Sequence, residues 1–235
     1  MTCHPEAASH RAFHMDSDER PFKSREPLVR RRVDSQSRLM AYGARVLNRP
    51  ATLADLEALP ESVTGEIIEG TLYTHARPRP GHAFLEGRLY SEVEGPFQLG
   101  RGGPGGWWII PEPGIHLEGS PEFIPDIAGW RRERVPEMPS NRWTVAPDWA
   151  CEILSPSTRA YDLRIKRPFY ARIGIRHLWF VDLEARVLSV SELAAGCWLE
   201  TGVYGEDDVA RVPPFEAIEL KFGDLWPPGR SAVGV

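Results

Sequence analysis

A chain of 235 residues, 42% hydrophobic and 26% charged, is long enough for one well-cored domain with extensions and is ordinary in composition for a globular protein. Its formal net charge of −5 excludes a chain-wide cushion for polyanions, so a nucleic-acid site has to be a local patch or work through a metal ion. The cysteines Cys3, Cys151 and Cys197 form no CxxC pair, which argues against a disulfide framework or a zinc site and for a reducing compartment.

Residues 1–45 read as a weakly ordered or disordered amino-terminal extension, polar and without a sustained apolar period. Residues 1–40 carry eight Lys and Arg against six Asp and Glu, leaving a net −7 on the rest. The opening segment lacks the basic start and apolar core of a secretory signal. No apolar run approaches the roughly 20 residues that span a bilayer. The expected location is therefore the cytoplasm, with no membrane partner.

Residues 46–235 are expected to form a single domain. Thr52 is an N-cap candidate for a short helix over LADLEALP. GEIIEGTLYTH reads as two strands meeting in a hairpin turn at Glu69-Gly70. GHAFLEGRLYSEVEGPF places Phe84, Leu85, Leu89 and Val93 at helical spacing, which predicts an amphipathic helix with these four on its apolar face. LGRGGPGG is a loop and fits neither a dinucleotide fingerprint nor a P-loop. Strands are then expected at WWIIP, GIHLEG, EFIPDIAGW and WACEILS. After Ser-Pro-Ser-Thr a helix runs from about Arg159 to Ile173, followed by strands in RHLWFVD, RVLSVSEL and CWLETGVY. This order argues for an α/β (α+β) domain built on a mixed sheet with helices against it.

Two carboxylates stand out because they sit in apolar runs: Asp126, directly after Pro125, and Glu152. By strand alternation Ala150, Glu152 and Leu154 share one face, and Cys151 and Ile153 the other. A carboxylate on a buried strand is costly to ionise unless paired, hydrogen-bonded or bound to a metal. Two of them on neighbouring strands would share a divalent cation, and all-oxygen ligation suits Mg2+, or Mn2+ in its place. Lys166 adds to this, since Lys23, Lys166 and Lys221 are the only lysines. A pocket lysine can orient or deprotonate a water where arginine cannot. Pro168, two residues on, should cost a helix interior about 3 kcal/mol, so the helix is expected either to start later or to kink near Lys166.

The blocks IPDIAGW and PDWACEILSPSTRAYDLRIKRPFYARIGIRHLWFVD, with GEIIEGTLY and GHAFLEGRL before them, resemble the Uma2 family of restriction-endonuclease-like proteins, bacterial members of the PD-(D/E)XK nuclease superfamily. The resemblance covers roughly residues 50 to 226. It implies a restriction-endonuclease-like mixed β-sheet flanked by helices and Mg2+-dependent phosphodiester cleavage, with DNA as the partner. Carried over, it makes Asp126 and Glu152 the motif's two acids and metal ligands. Glu66 becomes a further acid completing the metal shell, and His82 the histidine that opens the family's helix. The motif's lysine should follow its second acid by two, but that position is Leu154, and Lys166 is the substitute.

The leading expectation is thus an Mg2+-dependent endonuclease using Asp126, Glu152, Glu66 and Lys166. His82, Arg131 and Arg132 are its candidate substrate-binding residues, the arginines because GWRRERV could touch phosphates near the site. The alternative is a catalytically inactive nuclease-fold module that binds nucleic acid or protein. Glycoside hydrolysis by paired acids makes no use of Lys166. Asp162 and the Ser155, Ser157 and Thr158 hydroxyls read as helix-start residues. Trp107 and Trp108 read as core, the other reading being an exposed patch that would serve a homodimer.

Overall fold

The computed structural model describes residues 42–45 and 47–227. Most of the expected extension therefore lies outside the described residues. Its last part does not: Tyr42–Arg45 forms strand β1 and pairs antiparallel with β3.

The first half builds a five-stranded sheet in the order β1-β3-β2-β6-β5. Here β2 is Val63–Ile68, β3 Thr71–Ala76, β5 Ile115–Leu117 and β6 Ser120–Phe123. The β2–β3 hairpin turns at Glu69 and Gly70, both with positive φ (49° and 74°), the conformation a two-residue hairpin turn demands. Helix α1 (Leu53–Glu57) precedes it, and Asp55 accepts the Thr52 N–H at 2.8 Å in a capping arrangement.

The second sheet has six strands in the order β11-β10-β9-β8-β7-β4. These are β4 Trp107–Pro111, β7 Ile127–Arg131, β8 Trp149–Leu154, β9 His177–Asp182, β10 Val187–Ala194 and β11 Cys197–Tyr204. β8 and β9 run parallel and every other neighbour is antiparallel, so the sheet is mixed as expected. Six consecutive buried residues make β8 the centre of the molecule, covered on both faces.

On one face Trp149, Cys151, Ile153, Trp179 and Val181 pack with Leu85, Leu89 and Val93 of helix α2 (Pro80–Val93) and with Phe215 and Phe222. On the other, Ala150, Leu154, Leu178 and Phe180 pack with Phe123 of the five-stranded sheet and with Tyr161, Phe169 and Tyr170 of the second helical run. The buried stripe of α2 is His82, Leu85, Leu89 and Val93. Phe84, expected on that stripe, is 41% exposed, because it lies about 200° around the helix from His82 and faces outward.

Two departures from the sequence expectation shape the site. EFIPDIAGW is not one strand: β6 ends at Phe123, the chain crosses from one sheet to the other through Ile124-Pro125-Asp126, and β7 begins at Ile127. The helical run does not start late, and its irregularity lies at Lys166, near the place where a kink is the alternative expectation, in the form of a π turn. Helix α3 (Arg159–Tyr161) passes through a π turn, Asp162–Lys166, into α4 (Arg167–Arg172). The wider turn ends just before Pro168, which falls in the first turn of α4, and Asp162 and Lys166 at its two ends are both buried.

Candidate active site

Each site residue is delivered by local periodicity. On β2, Ile68 packs in the core shared by the two sheets while Ile67 packs on the opposite side, so alternation turns Glu66 inward with Ile68. Asp126 sits at the crossover. The β7–β8 register pairs Ile127 with Cys151, which puts Asp126 opposite Glu152. The Ile153 N–H donates to Asp126 Oδ2 at 2.6 Å and fixes that carboxylate against β8. Glu152 projects from β8 toward the second helical run, as alternation required. Asp162, Lys166 and Tyr170 recur every four residues along that run and face back.

All of these groups except Tyr170 line one cavity of about 600 Å3, whose walls also include His75, Arg77, Arg79, His82, Glu86, Glu112, Ser155, Ser157 and Thr158. Lys166 is the hub. Its Nζ donates to Ile124 O at 2.8 Å and to Glu152 Oε2 at 3.1 Å, and lies 3.2 Å from Glu66 Oε1. Two hydrogen bonds and a further ion-pair contact thus hold the ammonium. Burial works against the charge, but Glu152 and Glu66 outweigh it and hold Lys166 well above its ordinary value.

The carboxylates divide by environment. Burial alone would raise Glu66. Lys166, His75 at 3.1 Å and the Ile124 N–H at 2.8 Å reverse that and leave it low. Burial likewise acts on Asp126, but His82 Nε2, 3.2 Å from Oδ2, together with Lys166 brings it down. Glu152 goes the other way: burial, reinforced by Asp126, Asp162 and Glu66, outweighs Lys166 and pushes it well up. Glu86 and Asp162 are both pushed up to about 7, by burial first and then by Asp126. The cavity holds more carboxylate than its cations neutralise, and the surplus binds protons. His82 shows the same imbalance: Nε2 faces Asp126, while Nδ1 has no hydrogen-bond partner and lies 3.9 Å from Glu86 Oε2.

A divalent cation suits this setting. Among the described residues no three His, Cys, Asp or Glu side chains form a ready metal cage. Mg2+ does not require one, since it uses one or two carboxylates and completes its shell with water and substrate oxygens. The hydrogen bonds of Asp126 among the described residues both fall on Oδ2, and Asp126 lies opposite Glu152, so this all-oxygen pair fits that demand.

Comparison with known proteins agrees with the fold and with the family resemblance. The family model Uma2, described as "Putative restriction endonuclease", matches residues 51–223. This chain belongs to the Uma2 family. A crystal structure described as a putative nuclease belonging to DUF820, from Anabaena variabilis, superposes on this Uma2 chain with a TM-score of 0.59. It is 23% identical and covers 75% of this chain and 97% of its own. No match was found among curated proteins. Among the described residues, no helix of this Uma2 protein is long and apolar enough to cross a membrane.

The Uma2 structure brings Asp126, Glu152, Glu66, Lys166 and His82 together and leaves two sequence candidates outside the cavity. Arg131 and Arg132 follow β7 to its far end, roughly 16 Å from Asp126 at strand rise. There Arg131 stacks on Trp107 at 4.5 Å and Arg132 on Trp108 at 4.0 Å, with Arg132 also donating to Trp107 O and Gln98 O. Trp107 itself is buried, as the core reading expects. Sequence reasoning missed Glu86, His75, Tyr170, Arg77 and Arg79. For two of them a signal existed: Glu86 follows His82 by four, and Tyr170 follows Lys166 by four, each on a face already marked by a site residue.

Proposed function

We propose that this Uma2 protein is an Mg2+-dependent endonuclease that hydrolyses phosphodiester bonds in DNA. The observation that carries the reading is the convergence of Asp126, Glu152 and Lys166, from the sheet crossover, the central strand and the π turn, on one cavity. Asp126 and Glu152 would hold the ion, and Glu66 would anchor Lys166 and stand behind that shell. Mg2+ bound there supplies polarisation of the phosphodiester and a lower pKa for the attacking water. Lys166 orients that water by exchanging its bond to Glu152 for one to the water. Arg77 and Arg79, lining the same cavity, are placed to contact neighbouring phosphates and position the strand. DNA as the substrate rests on the family's description and on the name of the Anabaena neighbour.

One observation favours a second reading, an inert nuclease-fold module that binds nucleic acid or protein: Lys166 and both Glu152 oxygens already have partners. Plasmid nicking separates the two. The nuclease reading expects supercoiled DNA to be nicked in Mg2+ or Mn2+, with loss of at least 100-fold in Asp126→Ala and in chelator, in line with the removal of a main electrostatic contributor. Wild type that leaves DNA intact in both metals favours the inert module.

A further inference from the structure

Glu152 is held from one helical face by two donors of different kinds. Lys166 Nζ donates to Oε2 at 3.1 Å, and the Tyr170 hydroxyl donates to Oε1. The two residues are four apart, so the helix sets their separation and the strand sets the carboxylate between them. Tyr170 is fully buried, and its ring is fixed by Phe123 (centroids 6.2 Å apart) and Phe169 (5.9 Å). Those two rings brace each other edge to face at 4.9 Å. An aromatic box therefore aims one neutral O–H at one oxygen of the site's central acid. By its sequence context Tyr170 is simply a core aromatic.

The difference between the donors matters. An ammonium on a flexible stem can swing across both oxygens of a carboxylate and neutralise it as a closed ion pair. A phenol parked on Oε1 confines Lys166 to Oε2. Each carboxylate oxygen keeps a second lone pair beside a single donor, so Glu152 remains able to bind a cation.

We propose that Tyr170 is a positioning residue: its hydroxyl locks the Glu152 carboxylate in the orientation that accepts a divalent cation and keeps Lys166 from closing over it. This rests on the metal-dependent reading above. Groups that orient a ligand in this way typically change metal affinity by 10- to 100-fold when removed.

The test is Mn2+ titration by calorimetry, with thermal unfolding of the same samples, on wild type, Tyr170→Phe and Phe222→Leu. Tyr170→Phe keeps the ring and removes only the hydroxyl, and it should weaken Mn2+ binding at least ten-fold. Phe222→Leu loosens the core on the opposite face of the central sheet, away from the box; it should lower the melting temperature yet bind Mn2+ as wild type does. Wild-type affinity in Tyr170→Phe overturns the proposal and leaves the metal reading standing. Equal weakening in both variants also overturns it, because Tyr170 would then act only through packing. Wild type that binds no Mn2+ sinks the metal reading and this proposal with it. If Tyr170→Phe does not fold, a fluorinated tyrosine at 170 alters the O–H donor and keeps the ring. Its Mn2+ affinity must differ several-fold from wild type, and an unchanged value counts against the assignment.

Discussion

At the scale of single residues, the cavity is defined by acids that cannot all be ionised at once. Glu86 and Asp162 are held at about 7, against about 4 for a free carboxyl. Between these values the folded protein binds protons that the unfolded chain has released, so these two residues make stability fall as pH rises from about 4 to 7. His177, pushed down to about 4 by burial and by Arg176, acts in the opposite sense, since the unfolded chain binds its proton first between about 6.5 and 4. Comparing wild type with the Glu86→Gln, Asp162→Asn double variant cancels His177. Urea unfolding without divalent cations should show wild type losing stability relative to the variant as pH rises from 4 to 7; a flat difference would contradict the charge surplus.

Residue chemistry is also where the sequence speaks most clearly. Asp126 and Glu152 were legible because a carboxylate in an apolar run needs a partner, and Lys166 because lysine is rare in this chain. The same logic gives Asp162 too little, a helix-start role, where the structure buries it in the cavity wall. It makes Tyr170 simply a core aromatic, which an aromatic in a helix facing a sheet ordinarily is. Only the three-dimensional position of Glu152 turns its hydroxyl into a donor for the site.

Among elements, helix α2 and the π turn do the placing. The stripe of α2 runs through His82, Leu85, Leu89 and Val93, so the packing that buries Leu85 also brings His82 beside Asp126. Leu85→Ala should cost about 2–5 kcal/mol in urea unfolding, from lost burial and the cavity left behind. Phe84→Ala, on the exposed side, should stay within about 0.5 kcal/mol. Comparable losses at both positions would contradict this orientation of the helix. Helical period alone admits both residues to the stripe, and choosing between them takes the neighbour the helix packs on. The sheet crossover at Ile124-Pro125-Asp126 was illegible for a related reason: an apolar run keeps its composition while passing from one sheet to another. The π turn answers the question Pro168 posed, in a form that α-helical periodicity does not contain.

At the scale of the whole molecule, two sheets and a helical run meet around a cavity, with the central strand β8 contributing its acid from the most buried position available. Fold class, the mixed sheet and the order of motifs could all be read from the sequence, because burial on both faces of β8 and β9 writes itself as continuous apolar runs. The five-stranded sheet that carries Glu66 could be anticipated only in part, since β1 with β3 and β2 with β6 join short strands far apart in the chain. A fold alone does not make a nuclease, and the account stands on the cation that Asp126 and Glu152 are assigned to hold. The most direct measurement is calorimetric titration of Mg2+ into wild type, Asp126→Ala and Glu152→Ala. Saturable binding by wild type that is lost in both variants is the predicted result. No binding by wild type, or binding that survives both substitutions, would contradict it and leave Glu152 and Lys166 a structural ion pair.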